Sequence, residues 1–309
     1  MDMLLQCVLL VAGFCMLIKG ADWFVDGAAG IARRFGIPQL IIGLTIVSMG
    51  TSAPEAAVSI SAVLKGSADI TIGNVAGSNI MNVLVILGIT GLITAVKVAD
   101  STIHYEIPFM VFVSVLLMAF DYTGNMITFA EGCVLWVAFL VYLGYLFVMA
   151  KKGAPDEEDG KPAPVWKLLL LTVIGVVLIL LGSDITVDAA TAIATALGMS
   201  TRFIGLTIVA LGTSLPELVT SVTAAMKKQA DIAIGNIVGS NIFNILFVVG
   251  TTALIRPIAF QPSFLVDMLV AVIAGVLLWL CVVRQKKLTR IGGIVFLVGY
   301  AAYFVYLMM

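Results

Sequence analysis

The sequence predicts an all-α integral membrane protein made of two inverted-topology repeats of five helices. Three observations carry that prediction: 61% apolar against 11% charged residues, ten apolar runs long enough to cross a bilayer, and two near-identical polar motifs embedded in two of those runs. Soluble domains carry about 25% charged residues, so a soluble globular class is excluded. Long unbroken apolar runs require helices, because a barrel strand shows only weak alternation over about ten residues.

The ten spans fall near 3–19, 39–65, 70–93, 106–120, 128–150, 165–183, 201–227, 231–255, 263–283 and 290–308. Each is close to the roughly 17 to 25 residues that a hydrocarbon core demands. Residues 1–19 lack a basic leader and a small-residue cleavage pattern, so they read as the first span rather than a signal peptide. The fourth run is the shortest. With connections assigned alternately to two sides, Lys19, Arg33, Arg34, Lys97, Lys151, Lys152, Lys161, Lys167, Lys227, Lys228, Arg284, Lys286, Lys287 and Arg290 share one side, while Lys65, Arg202 and Arg256 fall on the other. That asymmetry of 14 to 3 marks the richer side as cytoplasmic and places both termini outside the cytoplasm. Cys7, Cys15, Cys133 and Cys281 show no paired spacing and read as packing residues, and Trp23, Trp136, Trp166 and Trp279 as interfacial or packing aromatics. His104, near a span end, receives no role.

Sliding the chain by 162 residues aligns Gly20–Gly88 with Gly182–Gly250 without a gap, with 35 of 69 positions identical. The chain is therefore a duplication. An odd number of spans per copy makes the second copy start on the opposite side of the membrane, the plan of many secondary transporters. The first repeat occupies 1–150 with its signature at 43–88, and the second 165–309 with its signature at 205–250. Between them KKGAPDEEDGKPAP, 151–164, reads as a cytoplasmic linker whose Asp156, Glu157, Glu158 and Asp159 form a solvated acidic run.

GTSAPE at 50–55 and GTSLPE at 212–217 place Glu55 and Glu217 inside apolar runs that hold no nearby lysine or arginine. A lone charge at mid-bilayer costs about 2.5–3.5 kcal/mol on insertion scales, so each acid needs a partner, most simply a cation from solution. Pro54 and Pro216 each delete a helical N–H, and the preceding Thr-Ser reads as a hydroxyl cap that restarts the helix. Helices are accordingly expected to break in spans 2, 3, 7 and 8, with unwound carbonyls near Ser48 and Ala210 lining a polar cavity. Those carbonyls, the hydroxyls of Thr51, Ser52, Thr213 and Ser214, and the two carboxylates form an oxygen-only set suited to hard cations such as Na⁺ or Ca²⁺. In the following spans Asn74, Ser78 and Asn82 lie on one helical face, and Asn236, Ser240 and Asn244 repeat the stripe. Asn74, Asn79, Asn236 and Asn241 also fit plain interhelical hydrogen bonding, and Asp22, Asp26, Asp184 and Asp188 read as caps or interfacial charges, with an ion-vestibule role as the sharper alternative.

GTSAPE followed by GNVAGSNIMN, and GTSLPE followed by GNIVGSNIFN, resemble the paired signature repeats of the cation/calcium antiporter superfamily, specifically its sodium/calcium exchanger branch. The resemblance covers both halves. It implies a ten-helix antiporter in which Glu55 and Glu217 bind Ca²⁺ and share in Na⁺ binding. It further implies that Ser48, Thr51, Ser52, Ser78, Ala210, Thr213, Ser214 and Ser240 supply Na⁺ ligands, Ser48 and Ala210 through their carbonyls, and that Asn82 completes the central site. One departure stands out: archaeal exchangers of this family carry an aspartate where this chain has Asn244, which leaves two acids rather than three. The Ca²⁺/H⁺ branch typically shows GNxxE in place of GTSxPE, so proton-coupled or K⁺-dependent exchange is the alternative reading.

The expected function is therefore Na⁺/Ca²⁺ antiport by alternating access, extruding Ca²⁺ across a prokaryotic inner membrane, without enzymatic chemistry and without an organic cofactor. The first and sixth spans are expected to form a sliding gate. An intramembrane hydrolase would have no use for a symmetric hydroxyl shell, and a channel would pass Ca²⁺ without a counter-gradient. The expected partners are Na⁺, Ca²⁺ and the lipid bilayer, with no nucleic acid and a monomeric chain.

Overall fold

The structure, a computed structural model, describes residues 3–66, 68, 70–124, 126–152, 163–198, 210–259 and 264–308. The helices are α1 (Met3–Phe35), α2 (Gln39–Thr51), α3 (Ala53–Leu64), α4 (Ile70–Ile93), α5 (Thr102–Phe120), α6 (Phe129–Lys152), α7 (Val165–Ala196), α8 (Ala210–Thr213), α9 (Leu215–Met226), α10 (Ala230–Ile255), α11 (Phe264–Val283) and α12 (Arg290–Met308). Among the described residues eight of these are long and apolar enough to cross a membrane, and α2 with α3, bent by 47°, forms a ninth. The tenth expected span, 201–227, is represented by α8 and α9; residues 201–209, with Arg202, lie outside the described residues, as do 153–162 of the linker, including its four acids and Lys161.

Two spans are longer than expected. The run at 3–19 continues as a helix to Phe35, and that at 165–183 continues to Ala196. Nothing between Ile18 and Phe35 stops a helix, and termination comes only where Gly36 and its repeat equivalent Gly198 take φ of 64° and 79°. Small residues also explain how these helices meet. Gly13 faces Gly182, Gly20 faces Gly175 and Gly27 faces Thr172, so contact advances along α1 as it retreats along α7 and the pair is antiparallel. A methyl on Gly20 would stand 2.9 Å from the Gly175 carbonyl oxygen, so the backbones touch, which small residues permit in lipid, where there is no hydrophobic drive.

The centre of the molecule is α4 and α10. Their apolar windows are 78% and 94% buried, against 22% for α1, so these two are wrapped by protein rather than lipid. The break expected in spans 3 and 8 takes a milder form: α4 and α10 remain continuous, each widened by a π-helical turn, at Asn82–Ile86 and Asn244–Val249. Such turns often mark functional sites, and here each begins on a polar residue of the expected stripe. Helix α10 crosses α2 closely enough that a methyl on Gly239 would lie 2.8 Å from Leu44 Cα.

Two short antiparallel ribbons tie the repeats together: β1 (Val96–Lys97) with β4 (Lys287–Leu288), and β2 (Met126–Ile127) with β3 (Ile258–Ala259). Adding 162 to 96 gives 258 and to 126 gives 288, so each ribbon is the other with the repeats exchanged. The same offset relates Gly66, at φ 90°, to Lys228, at φ 62°. A non-glycine residue in that left-handed region carries about 1–2 kcal/mol of strain, partly offset by the lower unfolded-state entropy of lysine. Replacing Lys228→Gly is expected to stabilise the protein by roughly 0.5–1 kcal/mol, seen as a higher thermal unfolding midpoint in detergent.

Candidate cation site where the repeats cross

The bend in each repeat is centred on a serine. Ser52 (φ −84°, ψ 9°) separates α2 from α3 and Ser214 (φ −92°, ψ 3°) separates α8 from α9, each followed by proline in the first turn. Glu55 and Glu217 therefore stand in the first turns of α3 and α9, where backbone N–H groups and the helix dipole favour negative charge. Both are buried, at 1% and 0% exposure, and each lies within range of the other's charge.

The expected hydroxyl caps do not form. Neither Ser52 nor Ser214 makes a side-chain capping bond; Ser52 Oγ instead donates to Glu217 Oε1 of the opposite repeat at 2.8 Å. The Ser48 carbonyl is likewise not unwound: it accepts the helical bond from Ser52 N at 3.0 Å, and also the hydroxyls of Thr51 at 3.3 Å and Ser240 at 3.4 Å. The bend is a local kink, so it releases fewer carbonyls than a full unwinding. The Gly212 carbonyl, four residues before Pro216, accepts from Ser183 Oγ of α7 at 2.8 Å. Ala210 opens α8.

Asparagines organise the rest. Asn74 Nδ2 donates to the Glu55 carbonyl at 3.1 Å and to Ser59 Oγ at 2.9 Å; Asn236 Nδ2 donates to the Glu217 carbonyl at 3.4 Å and to Ser221 Oγ at 2.9 Å. Thr51 Oγ1 donates to Asn236 Oδ1 at 3.0 Å, and Ser78 Oγ to Glu55 Oε1 at 3.4 Å. Between α4 and α10, Asn79 and Asn241 exchange Nδ2 bonds with each other's carbonyls at 3.2 and 3.1 Å. Their side-chain oxygens then accept from the next pair: Asn82 Nδ2 to Asn241 Oδ1 at 2.9 Å and Asn244 Nδ2 to Asn79 Oδ1 at 3.1 Å. Both amide nitrogens of Asn82 and Asn244 are thus committed, and both Oδ1 atoms are held away from a donor.

Those oxygens are part of a wider pattern. Glu55 Oε2, Glu217 Oε2, Asn82 Oδ1, Asn244 Oδ1 and Ser214 Oγ are buried with no hydrogen-bond partner among the described residues. A buried acceptor left unpaired costs about 1–3 kcal/mol, and more when charged, so four acceptor-only atoms from both repeats call for a positive guest. The set is all oxygen. Among the described residues no group of three or more His, Cys, Asp or Glu side chains assembles, which sets the site apart from thiolate and imidazole metal centres.

The two bends differ in exposure. A cavity of about 520 Å³ opens between α7 and the bend helices, lined by Pro54, Val58, Asp184, Val187, Asp188 and Thr213. Subtracting or adding 162 gives the matching residues on the opposite face, Pro216, Thr220, Val25 and Thr51, and all four are buried. There Asp22 and Asp26 are bound to Lys227.

The expected site residues fall into three hydrogen-bonded groups: Ser52, Thr51 and Ser240 with Glu217 and the Ser48 carbonyl, Ser78 with Glu55, and Asn82 and Asn244 with Asn79 and Asn241; Ser214 stands at the second bend and Thr213 lines the cavity. Asn79 and Asn241 make the interhelical bonds that were one reading of them, and they also fix the amides of Asn244 and Asn82. Ser59, Ser221 and Ser183 escaped the sequence reading. The signal available for the first two was their shared offset of 162; Ser183 has Ala21 as its equivalent and left none.

A buried cluster of unpaired oxygens inside a helical membrane protein fits a carrier of hard cations. The family comparison makes this specific: the sodium/calcium exchanger protein family matches residues 5–148 and 167–309, and the chain belongs to that family of Na⁺/Ca²⁺ antiporters. It is 38% identical to the inner membrane protein YrbG of Escherichia coli over 90% of each chain, and 30% identical to the sodium/calcium exchanger MaX1 of Methanosarcina acetivorans over 97% of each. The solved structure of the sodium-calcium exchanger NCX_Mj, soaked with zero Na⁺ and Ca²⁺, superimposes with a TM-score of 0.87 at 32% identity, covering 99% of this chain and all of that one.

Asn241→Ala removes the acceptor that commits Asn82 Nδ2, leaving the amide free to turn its nitrogen toward the site. Ca²⁺ affinity is expected to fall about tenfold, measured by ⁴⁵Ca equilibrium binding to purified protein.

Proposed function

We propose that the chain extrudes Ca²⁺ in exchange for Na⁺ by alternating access, with Glu55, Glu217, Asn82 and Asn244 at the central site and Ser48, Thr51, Ser52, Ser78, Ala210, Thr213, Ser214 and Ser240 contributing to Na⁺ binding. The observation that carries this reading is the one-sided cavity set against its buried symmetric counterpart. Two copies of one motif with unlike exposure are what a carrier caught open to one side presents. The antiparallel contact of α1 with α7, together with the interchanged ribbons, supports an inverted five-plus-five arrangement of ten spans. Under the charge asymmetry of the connections, the open face is extracytoplasmic and both termini lie there. Helices α1 and α7 are the moving pair. A monomer holds the whole site.

Two ionised carboxylates place −2 in a low-dielectric interior. One Ca²⁺ or two Na⁺ neutralise it, while an empty site would carry bare charge through the barrier, so empty carriers switch rarely and exchange becomes obligatory. With Asn244 in place of an acid, the Ca²⁺-loaded carrier is neutral; a third Na⁺, as the family resemblance suggests, leaves the Na⁺-loaded carrier at +1. The voltage-sensitive step then belongs to the Na⁺ limb, at about 2.3 kcal/mol per charge per 100 mV.

Two experiments test the reading. Proteoliposomes loaded with Na⁺ are expected to take up ⁴⁵Ca, whereas K⁺-loaded vesicles or a pH step alone give none, and Glu217→Gln abolishes the uptake; uptake without a Na⁺ gradient would point to a channel, and uptake driven by the pH step to proton coupling. In vesicles clamped with valinomycin, Ca²⁺/Ca²⁺ exchange is expected to be insensitive to voltage. A clear voltage dependence of that exchange would contradict a two-acid, neutral Ca²⁺-loaded state.

A further inference from the structure

Asp22 and Asp26 lie one turn apart on α1, and both meet Lys227 at the C-terminal end of α9. Lys227 Nζ stands 2.5 Å from Asp22 Oδ1 and 2.6 Å from Asp26 Oδ1, and donates to the Asp22 carbonyl at 2.9 Å. The ion pair is partly sheltered, with the lysine side chain 25% exposed. It clamps α1 to the bend helix directly beside the closed face, where Val25, Thr51, Pro216 and Thr220 are buried.

Each of the three residues has a repeat equivalent: 22 + 162 = 184, 26 + 162 = 188 and 65 + 162 = 227. Asp184 and Asp188 sit on α7 at the mouth of the open cavity, and Lys65 follows α3. All three are exposed, and among the described residues no ion pair joins Lys65 to either aspartate. The same three charges are therefore engaged on the closed face and separated on the open one.

We propose that Lys227 with Asp22 and Asp26, and Lys65 with Asp184 and Asp188, are two alternately closed ion-pair latches that position the α1–α7 pair and so set which face of the exchanger is open. The inference rests on the alternating-access reading above. Helices α1 and α7 adhere to each other along their glycine seam, and their most apolar windows are only 22% and 33% buried, so the two can shift against the centre as a pair. In the present state the first latch holds the cytoplasmic face shut. Moving the pair to the other position parts Lys227 from its aspartates and brings Asp184 and Asp188 to Lys65. The open latch has a second effect: its two unpaired aspartates give the entrance a negative potential that draws cations in, and closing neutralises it. The two latches are not equal, because Lys19 also contacts Asp22, at 2.9 Å, while its equivalent is Leu181.

The test reads which face is open, using the complete protein with its four native cysteines replaced, in vesicles of known orientation. Ala57→Cys lines the open cavity, and Val219→Cys is its equivalent on the closed face (57 + 162 = 219). Labelling rates with a membrane-impermeant maleimide report the two populations. Loss of one partly exposed ion pair is worth about a two- to fivefold shift. Lys227→Gln is expected to slow labelling at Ala57→Cys and speed it at Val219→Cys by that factor, Lys65→Gln to do the reverse, and Lys227→Arg to keep the wild-type ratio. The difference between the two Gln variants should shrink in high salt. A pair of lysines that merely stabilised the fold would move both probes in the same direction. That result, or two Gln variants that exchange normally with unchanged labelling ratios, overturns the latches and leaves the exchanger reading standing. Wild-type labelling that does not respond in opposite senses at the two probes to Na⁺ and to Ca²⁺ overturns alternating access and the latches together.

Discussion

The rest of the structure depends on two carboxylates buried in the protein interior. Each is approached by a hydroxyl on one oxygen and left bare on the other. Such an arrangement is unstable as a dry, ionised pair, since Coulomb repulsion and desolvation act in the same direction. It becomes favourable when a hard cation supplies the opposite charge. The asparagine lattice between α4 and α10 serves the same end by a different route. It engages the amide nitrogens of all four asparagines and leaves the Asn82 and Asn244 oxygens unpaired beside the bare carboxylate oxygens, so that the polar atoms offered to a guest are mostly acceptors. An interior tuned in this way rejects anions and neutral acceptors without any specific contact against them.

The duplicated sequence turns one local solution into a two-sided one. The helix restart that places Glu55 in a first turn is copied to place Glu217, and the crossing of α2 with α10 lets a hydroxyl from one repeat reach the acid of the other. Neither repeat contains a complete site. Glu217 receives its hydroxyl from Ser52, Asn236 receives Thr51, and the amide of Asn82 is set by Asn241, so each half completes the polar contacts of the other. In the proposed cycle this is what permits the two halves to stay together at the centre while the outer pair α1 and α7 moves.

Much of this was legible in the sequence, for identifiable reasons. Hydropathy and the 162-residue offset suffice for the span order and the duplication, because lipid imposes a length and a repeat imposes a period. The paired GTSxPE motifs reveal the acids because a carboxylate repeated at the same place in two apolar runs calls for a compensating charge. What stayed hidden were properties set by tertiary geometry. Ser52 has the composition and position of a helix cap, and only the proximity of Glu217 diverts its hydroxyl. A break is expected in the runs at 70–93 and 231–255, yet each stays one helix and takes only a π-helical turn, because packing on neighbouring helices absorbs the irregularity without unwinding. The length of α1 was masked by its charges: Asp22, Asp26, Arg33 and Arg34 end the apolar stretch but do not end the helix, which stops only at a residue able to take positive φ.

The repeats are similar but not identical, and the differences bear on the energetics of switching. Two perfectly equal halves would give the inward-open and outward-open states the same free energy, apart from what the membrane and the gradients add. Here the balance is broken at several places. Ser183 binds the Gly212 carbonyl where Ala21, its equivalent, has nothing to offer Gly50. Ser52 binds Glu217, whereas the Ser214 hydroxyl has no partner among the described residues. The second bond has a mirror-image counterpart available after a switch, Ser214 to Glu55, but the first has none. A net intramolecular hydrogen bond is worth about 0.5–1.5 kcal/mol, so the Ser183 bond favours the state seen here by about two- to tenfold in population. A carrier tolerates that bias only because ion binding is of the same order or larger; the cation, rather than the resting protein, then decides when the occluded form is reached. In the proposed cycle the departures from symmetry are as informative as the symmetry, since they bias which side of the membrane the site faces.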